Sequence, residues 1–203
     1  MTKRVLVPLA AGCEELEAVT IIDLLRRAGI EVIVAGLEDG VVTASRGVRL
    51  VPDMPLDQAL QLEFDMVALP GGLPGSDHLA EDPRVGDVLR AMNESGRFVG
   101  AVCAAPKVLA RSGLLVGKRA TAYPGVLQAE KHPSITGDAV TRDGRIITSR
   151  SAGTVMDFAL ALIEALVGKE TRTQVETSLE RNQAPVLNPL DGSASSGLRA
   201  TGR

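Results

Sequence analysis

The sequence predicts an α/β protein, an open sandwich in which helices cover both faces of a mostly parallel β-sheet. Apolar strands alternate with helices along the chain, the pattern of sheets built from β-α-β units. Hydrophobic residues make up 45% of the 203 residues, which is enough for a substantial core. A strand also turns directly into a helix at Cys103, a junction at which open α/β sheets present nucleophiles.

Strands and helices alternate from the start of the chain. A buried strand at residues 5–9 leads into a helix at 14–28, in which apolar side chains recur at helical spacing and which Gly29 ends. A strand at 31–35 completes the first β-α-β unit. The elements predicted next are short strands on one edge around 41–43 and 49–51, a buried strand at 65–69 and a helix at 83–93 with proline in its first turn.

The second half of the chain continues this alternation. The predicted elements are a strand at 98–102, a helix after Cys103 to about residue 112, strands at 119–122 and 145–148, and a strongly apolar helix at 153–167. We find no repeat and no second-domain boundary, so residues 1–180 are assigned to a single domain. The stretch 188–203 contains few apolar residues and many Gly and Ser residues, which predicts a disordered tail.

Composition excludes several classes of function. The net charge is −3, aromatic residues are 2% of the chain, and no long basic cluster is present, so we expect no nucleic-acid partner. No apolar run approaches the ~18 residues of a membrane span. Two cysteines do not make a disulfide framework, so reduced thiols and a cytoplasmic location are expected.

Cys103 is the strongest candidate for chemistry. The turn between strand and helix must be tight, and the neighbouring Gly100, Ala101, Ala104 and Ala105 are small enough for it. Amides and the dipole at a helix N-terminus lower a thiol pKa and stabilise a developing anion. We therefore expect a depressed pKa at Cys103 and the higher reactivity of the two cysteines. The alternative is a buried cysteine that only packs.

A glycine loop follows another strand at the same edge of the sheet. Gly71 and Gly72 lack the Gly-Lys-Ser/Thr of a phosphate-binding loop. Consecutive glycines can turn backbone N–H groups toward an anion, which beside a thiol would form an oxyanion hole. A plain tight turn is the alternative.

Three carboxylates open the first helix after the first strand. Glu14, Glu15 and Glu17 are explained by favourable charge at a helix N-terminus, but one of them could also point to the thiol. A carboxyl group next to a thiolate would stay protonated, because two adjacent anions resist ionisation. Such a group could donate a hydrogen bond to the thiolate and carry protons to a substrate.

The remaining candidates have weaker signals. Cys13 ends the first strand and could form a disulfide with an oxidised Cys103, although a small packing residue fits the position better. Neither histidine has clustered ligands around it, so no metal site is expected, and His78 fits a surface position.

These loops together resemble the ThiJ/PfpI superfamily, specifically its branch of the parkinsonism-associated protein deglycase. The resemblance covers the chain from Lys3 to about Val175. The matching stretches, in order, are residues 11–19 (AGCEELEAV), 26–30 (RRAGI), 34–37 (VAGL), 69–72 (LPGG), 101–106 (AVCAAP), 148–150 (TSR) and 153–154 (GT).

The resemblance implies a flavodoxin-like fold, a homodimer and chemistry on glyoxal, methylglyoxal or glycated amines without a cofactor. It assigns Cys103 as the oxidisable nucleophile and Glu17 as the carboxyl group in contact with it. The matching amide donors are Gly72 and Ala104, and Arg27 and Arg46 match arginines near the dimer interface. Proposed family activities are glyoxalase III and deglycation, with redox sensing and chaperone activity as alternatives.

Two departures from the family pattern affect the expected mechanism. Tyr123 stands where the human-type sequence has histidine, and tyrosine does not take up a proton at neutral pH. Glu17 is then the expected proton carrier. Ala104 stands where protease-like members have histidine, which argues against a peptidase. The sequence therefore predicts a Cys103-dependent enzyme that acts on α-oxoaldehydes, with a redox sensor or redox-regulated chaperone as the alternative.

Overall fold

A seven-stranded sheet forms the centre of the computed structural model, which describes residues 2–128 and 134–181. The strands are β1 (Arg4–Leu9), β2 (Glu31–Gly36), β3 (Val42–Thr43), β4 (Arg49–Leu50), β5 (Met54–Pro55), β6 (Met66–Leu69), β7 (Phe98–Val102), β8 (Arg119–Ala120), β9 (Ser134–Ile135), β10 (Val140–Asp143) and β11 (Ile146–Ser149). The helices are α1 (Glu15–Arg27), α2 (Leu56–Ala59), α3 (Gly75–Glu81), α4 (Pro83–Glu94), α5 (Pro106–Arg111), α6 (Val155–Val167) and α7 (Lys169–Ser178).

The central sheet has the order β10-β11-β7-β6-β1-β2-β5. All of its pairings are parallel except that of β10 with β11. The carboxyl ends of the parallel strands therefore lie along one edge, where open α/β sheets bind ligands. This arrangement confirms the predicted α/β, flavodoxin-like fold.

Both faces of the sheet are covered, which explains why its central strands β6 and β7 are apolar along their whole length. Val5 and Val7 of β1 belong to a core cluster that includes residues of α1 and α6. Leu6, which points to the opposite face, belongs to a second cluster with residues of α2 to α5. The alternation of side chains along β1 thus contributes to two separate hydrophobic layers.

Most predicted elements are observed, but the two short strands predicted on one edge of the central sheet do not belong to that sheet. The segments around 41–43 and 49–51 do not extend the central sheet, because β3 and β4 pair only with each other as an antiparallel hairpin. The edge next to β2 is instead β5, a two-residue strand. Short strands carry too little sequence pattern to reveal their partner.

Six of these strands and helices were not predicted. They are β5, β9, β10, α2, α3 and α7. Helix α7 is polar and buries only Val175, so its sequence lacks an apolar stripe. Helix α3 has seven residues and begins with Gly75, a weak helix former.

The tail predicted at residues 188–203 lies outside the described residues. No helix within residues 2–128 or 134–181 combines the length and the apolar character needed to cross a membrane.

Candidate active site

Cys103 occupies the predicted turn at the carboxyl end of β7, immediately before α5. Its φ angle is 62°, a left-handed conformation that non-glycine residues rarely adopt outside tight functional turns. The Cys103 N–H donates to the Ser149 carbonyl at 2.9 Å, and the Cys103 carbonyl accepts the Tyr123 N–H at 2.8 Å. These two hydrogen bonds hold the strained turn from both sides.

The Cys103 sulfur faces two main-chain amides and one carboxyl group. The N–H groups of Gly72 and Ala104 both lie within hydrogen-bonding reach of the sulfur, as the resemblance implied. The carboxyl group of Glu17 also hydrogen-bonds to Cys103. The structure thus brings together the predicted nucleophile, the predicted proton carrier and two of the predicted amide donors.

Gly71 has a different role from the predicted one. Its N–H donates to Glu17 Oε2 at 2.8 Å, so this amide positions the carboxyl group instead of an oxyanion. A Cβ atom on Gly71 would lie 2.7 Å from the Cys103 Cβ and 2.9 Å from the Ala104 nitrogen. Glycine is therefore required because the loop passes so close to the nucleophile.

Glu17 is fully buried, and its Oε1 atom has no hydrogen-bond partner in the described part of the chain. Burial raises the pKa of Glu17 to about 7, although the hydrogen bonds from Gly71 and Cys103 act in the opposite direction. The charge of Glu14 adds to the increase. Glu17 therefore holds a proton at pH values where an ordinary carboxyl group is ionised.

The pKa of the Cys103 thiol is raised to about 12, opposite to the direction expected from helix amides. Burial is the main cause, followed by the Glu17 carboxylate, and together they outweigh the amides of Ala104 and Gly72. This value describes the loss of the thiol proton beside an ionised Glu17. Because both pKa values are raised, the Glu17–Cys103 pair holds one proton between about pH 7 and pH 12.

That shared proton decides when a thiolate exists. With the proton on Glu17, Cys103 is a thiolate that accepts hydrogen bonds from the carboxyl group and the amides. With the proton on Cys103, Glu17 is a carboxylate. A thiolate therefore requires transfer of the shared proton from Cys103 to Glu17, and the raised pKa of the thiol opposes this transfer.

The other two carboxylates of α1 are structural. Glu14 caps the helix, because its Oε2 accepts the Glu17 N–H at 2.7 Å. Glu15 accepts hydrogen bonds from Ser45 Oγ and from the N–H of Arg46, which ties the hairpin of β3 and β4 to α1. Of the three candidates, only Glu17 contacts the thiol.

Cys13 is a packing residue in this arrangement. It is fully buried in the hydrophobic core, and burial with the nearby Glu15 charge raises its pKa to about 11. The main chain at Cys13 contacts Gly72, while Gly71 contacts Cys103, so the glycine loop lies between the two cysteines. Both cysteines are free thiols.

The remaining candidates do not join the Glu17–Cys103 pair. Arg27 forms an exposed ion pair with Asp23, and the Arg46 side chain is exposed. The main chain of Tyr123 is anchored to Cys103, but its side chain is exposed. His78 is an exposed residue of α3, with Nδ1 2.9 Å from the Ala11 carbonyl.

Nothing in the described ranges offers a metal site, because no group of three His, Cys, Asp or Glu side chains is placed to hold one.

Clefts of 360–420 Å³ lie around Asp65 and Arg97, at the opposite edge of the sheet. None of these clefts is lined by a cysteine, so the candidate site is assigned to Cys103 from its chemistry and not from the size of a cleft. Sequence reasoning missed Ser149 as an anchor of the turn, because a carbonyl contact leaves no side-chain signal.

Comparisons with known proteins identify the family of the chain. Residues 3–165 match the DJ-1/PfpI family. The chain is 44% identical to protein dj-1beta of Drosophila melanogaster over 182 residues, covering 88% of this chain and 97% of that protein. The crystal structure of that protein has a TM-score of 0.85 and covers 89% of this chain and 98% of that one.

Two further relatives carry informative names. Glutathione-independent glyoxalase DJR-1.2 of Caenorhabditis elegans is 38% identical over 159 residues, covering 77% of this chain and 84% of that protein. A structure described as Toxoplasma gondii DJ-1, oxidized, has a TM-score of 0.85 and 36% identity, and covers 90% of this chain and 100% of that one.

Proposed function

The chain belongs to the DJ-1/PfpI family, and on that premise we propose that it is a cysteine-dependent enzyme that converts glyoxal or methylglyoxal into hydroxy acids without a cofactor. The observation that carries the proposal is the contact of Cys103 with the buried Glu17, which has a raised pKa. A relative named glutathione-independent glyoxalase supports the same class of reaction.

The first step is addition of sulfur to the aldehyde. In the state with the proton on Glu17, the Cys103 thiolate attacks the aldehyde carbon, and a C–S bond forms as the C=O π bond opens. Glu17 gives its proton to the new alkoxide, which yields a hemithioacetal and leaves a carboxylate. The N–H groups of Gly72 and Ala104 stabilise the negative charge during this step.

The second step moves a proton between adjacent carbons. The Glu17 carboxylate removes the proton from the hemithioacetal carbon, and the resulting enediol is reprotonated at the neighbouring carbon by the same group. The product is a thioester of Cys103. Water then hydrolyses the thioester and restores the thiol, so that methylglyoxal and one water give lactate. With a glycated amine, the Cys103 thiolate would displace the amine from the carbinol carbon, the departing amine would take the proton from Glu17, and the same hemithioacetal would form, which would make the enzyme a deglycase.

We further propose a homodimer in a cytoplasmic, reducing environment. Leu16 and Val19 lie three residues apart on α1, share one face, and are both exposed although apolar. An apolar helix face of this kind is typical of contacts between subunits. Size-exclusion chromatography with light scattering should give a dimer for the wild type and a monomer for a Leu16→Glu, Val19→Lys variant. A dimer that survives both charges would contradict this assignment.

The test of the enzyme is steady-state turnover of methylglyoxal in the absence of glutathione, with lactate measured directly. Cys103→Ser should abolish turnover, because the hydroxyl is a far weaker nucleophile. Glu17→Gln keeps a hydrogen-bonding group of the same size but cannot carry a proton, so it should lose about a hundredfold or more of kcat. Wild-type turnover without lactate, or near-normal Glu17→Gln activity, would contradict the mechanism.

A second candidate function is oxidation sensing or redox-regulated chaperone activity, in which Cys103 becomes a sulfinate. The amides of Gly72 and Ala104 favour it, because donors that stabilise a thiolate also stabilise sulfinate oxygens. The name of the oxidised Toxoplasma structure is consistent with such chemistry in that relative. Absence of wild-type turnover, with stoichiometric oxidation of Cys103 by dilute peroxide, would favour this function over catalysis.

A further inference from the structure

Two exposed residues with large apolar side chains, Leu73 and Tyr123, lie close to Cys103 along the main chain: Leu73 follows Gly72, whose amide reaches the sulfur, and Tyr123 is hydrogen-bonded to the Cys103 carbonyl. We propose that Leu73 and Tyr123 form an apolar rim at Cys103, which makes the site prefer α-oxoaldehydes with a large apolar substituent over glyoxal itself. The proposal rests on the proposed function, because it names the substrate class of the same site.

Tyr123 is anchored beside the nucleophile by its main chain. Its N–H donates to the Cys103 carbonyl at 2.8 Å, so the two residues keep a fixed separation. Its side chain is nevertheless 54% exposed. An aromatic residue held at a reactive site with its ring in solvent offers a surface on which another apolar group can pack.

Leu73 lies on the other side of Cys103 from Tyr123. It directly follows Gly72, whose amide reaches the Cys103 sulfur, and it is 59% exposed. In the sheet, β7 lies between β6 and β11. The Leu73 loop leaves β6, whereas Tyr123 follows β8, which packs near β10 and β11. The two residues therefore lie on opposite sides of the strand that ends at Cys103.

The chain next to each rim residue adds apolar surface. Leu73 precedes Pro74 and Tyr123 precedes Pro124, and both prolines are exposed. Glyoxal has no substituent that could contact this surface. A phenyl or long alkyl group on the ketone carbon would extend away from the sulfur and could bury area against the rim.

The expected effect is a difference in kcat/KM between substrates. Wild-type enzyme should have a higher kcat/KM for phenylglyoxal than for glyoxal. Tyr123→Ser and Leu73→Ser should each lower the ratio of kcat/KM for phenylglyoxal to kcat/KM for glyoxal by roughly three- to tenfold. Tyr123→Phe keeps the ring and should keep the ratio, which separates packing from any role of the hydroxyl. Val116→Ser is the matched control, because Val116 is also apolar and 60% exposed but lies in the turn between α5 and β8.

A binding measurement separates this inference from the proposed reaction. The chain has one tyrosine and no tryptophan, so tyrosine fluorescence reports on Tyr123 alone. In the Cys103→Ser variant, mandelate, the hydroxy acid expected from phenylglyoxal, should change this emission saturably and bind at least threefold more tightly than glycolate. Adding Leu73→Ser should remove that difference.

Each outcome has a definite meaning. Mandelate preference without turnover of any aldehyde would support the rim and contradict the proposed reaction. Turnover of glyoxal with equal binding of mandelate and glycolate, or a substrate ratio unchanged in both rim variants, would overturn the rim and leave the reaction standing.

Discussion

Replacement of Glu17 by glutamine tests the shared proton directly. In the wild type, the Glu17–Cys103 pair loses its first proton near pH 7 and its second near pH 12. Reactive thiolate first exists in the state with one proton, so the alkylation rate of Cys103 should rise with a midpoint near 7. This midpoint lies below the ~8.5 of a free cysteine even though the pKa of the thiol beside ionised Glu17 is raised.

In Glu17→Gln, both steps should be replaced by a single one. No carboxylate remains to take the thiol proton, so the step near 7 disappears. No anion remains to oppose the thiolate, so the step near 12 moves down. Burial is the largest cause of the raised thiol pKa and is still present, which places the new midpoint between ~8.5 and about 12. The midpoint should thus move up by at least ~1.5 pH units, equivalent to about 2 kcal/mol.

The assay is the rate of iodoacetamide labelling between pH 5 and 10, read by mass spectrometry of the peptide that contains Cys103. Peptide resolution keeps the buried Cys13 from contributing. Glu14→Gln is the matched control, because removing its charge lowers the pKa of Glu17 and should move the wild-type midpoint slightly below 7. A wild-type midpoint at or above ~8.5, or the same midpoint in Glu17→Gln, would refute the shared proton.

Three further predictions follow from single contacts. Gly71→Ala should lower the free energy of unfolding, measured in urea, by about 1–3 kcal/mol and should abolish turnover, because the added Cβ would overlap Cys103. Gly153→Ala, whose added Cβ has ample space, should change neither the stability nor the turnover. Burial acts to raise the pKa of Glu15, but hydrogen bonds outweigh it and lower the pKa, so the carboxylate stabilises the fold above about pH 4.5 and this contribution is lost as the pH falls. Glu15→Gln should therefore unfold more easily than the wild type at pH 7, and the difference should shrink as the pH falls below 4.5. Under limiting peroxide, Cys13→Ala and the wild type should gain two oxygens on Cys103 at equal rates, and an intrachain disulfide in the wild type alone would contradict the packing role of Cys13.

The fold was predictable where the sequence pattern and the packing agree. The strands β6 and β7 are apolar throughout and β1 is apolar after Arg4, because these strands are buried on both faces, and α1 has one apolar face. The edges were not predictable in the same way. The strand β5 has two residues, and β10 alternates buried Thr141 with exposed Arg142, so neither has the apolar run of a central strand.

The site was predictable to the level of residue identity, but its energetics were not. The tight turn at Cys103 and the contact with Glu17 both follow from small residues, a helix start and the resemblance. The direction of the thiol pKa depends on how deeply sulfur and carboxyl group are buried together, which no local pattern encodes. The role of Gly71 was missed for the same reason, since its amide is used by Glu17 and not by the thiol.

A fully buried carboxyl group explains how one site could serve both proposed chemistries. The proton on Glu17 stabilises the thiolate that attacks an aldehyde, and the same proton can hydrogen-bond to an oxygen added to that sulfur. The two reactions therefore compete for one state of the pair. Methylglyoxal should protect Cys103 from peroxide in proportion to its occupancy of the site, as measured by the fraction of sulfinate in intact-mass spectra. Equal oxidation with and without saturating methylglyoxal would mean that aldehyde and peroxide do not meet at the same thiolate.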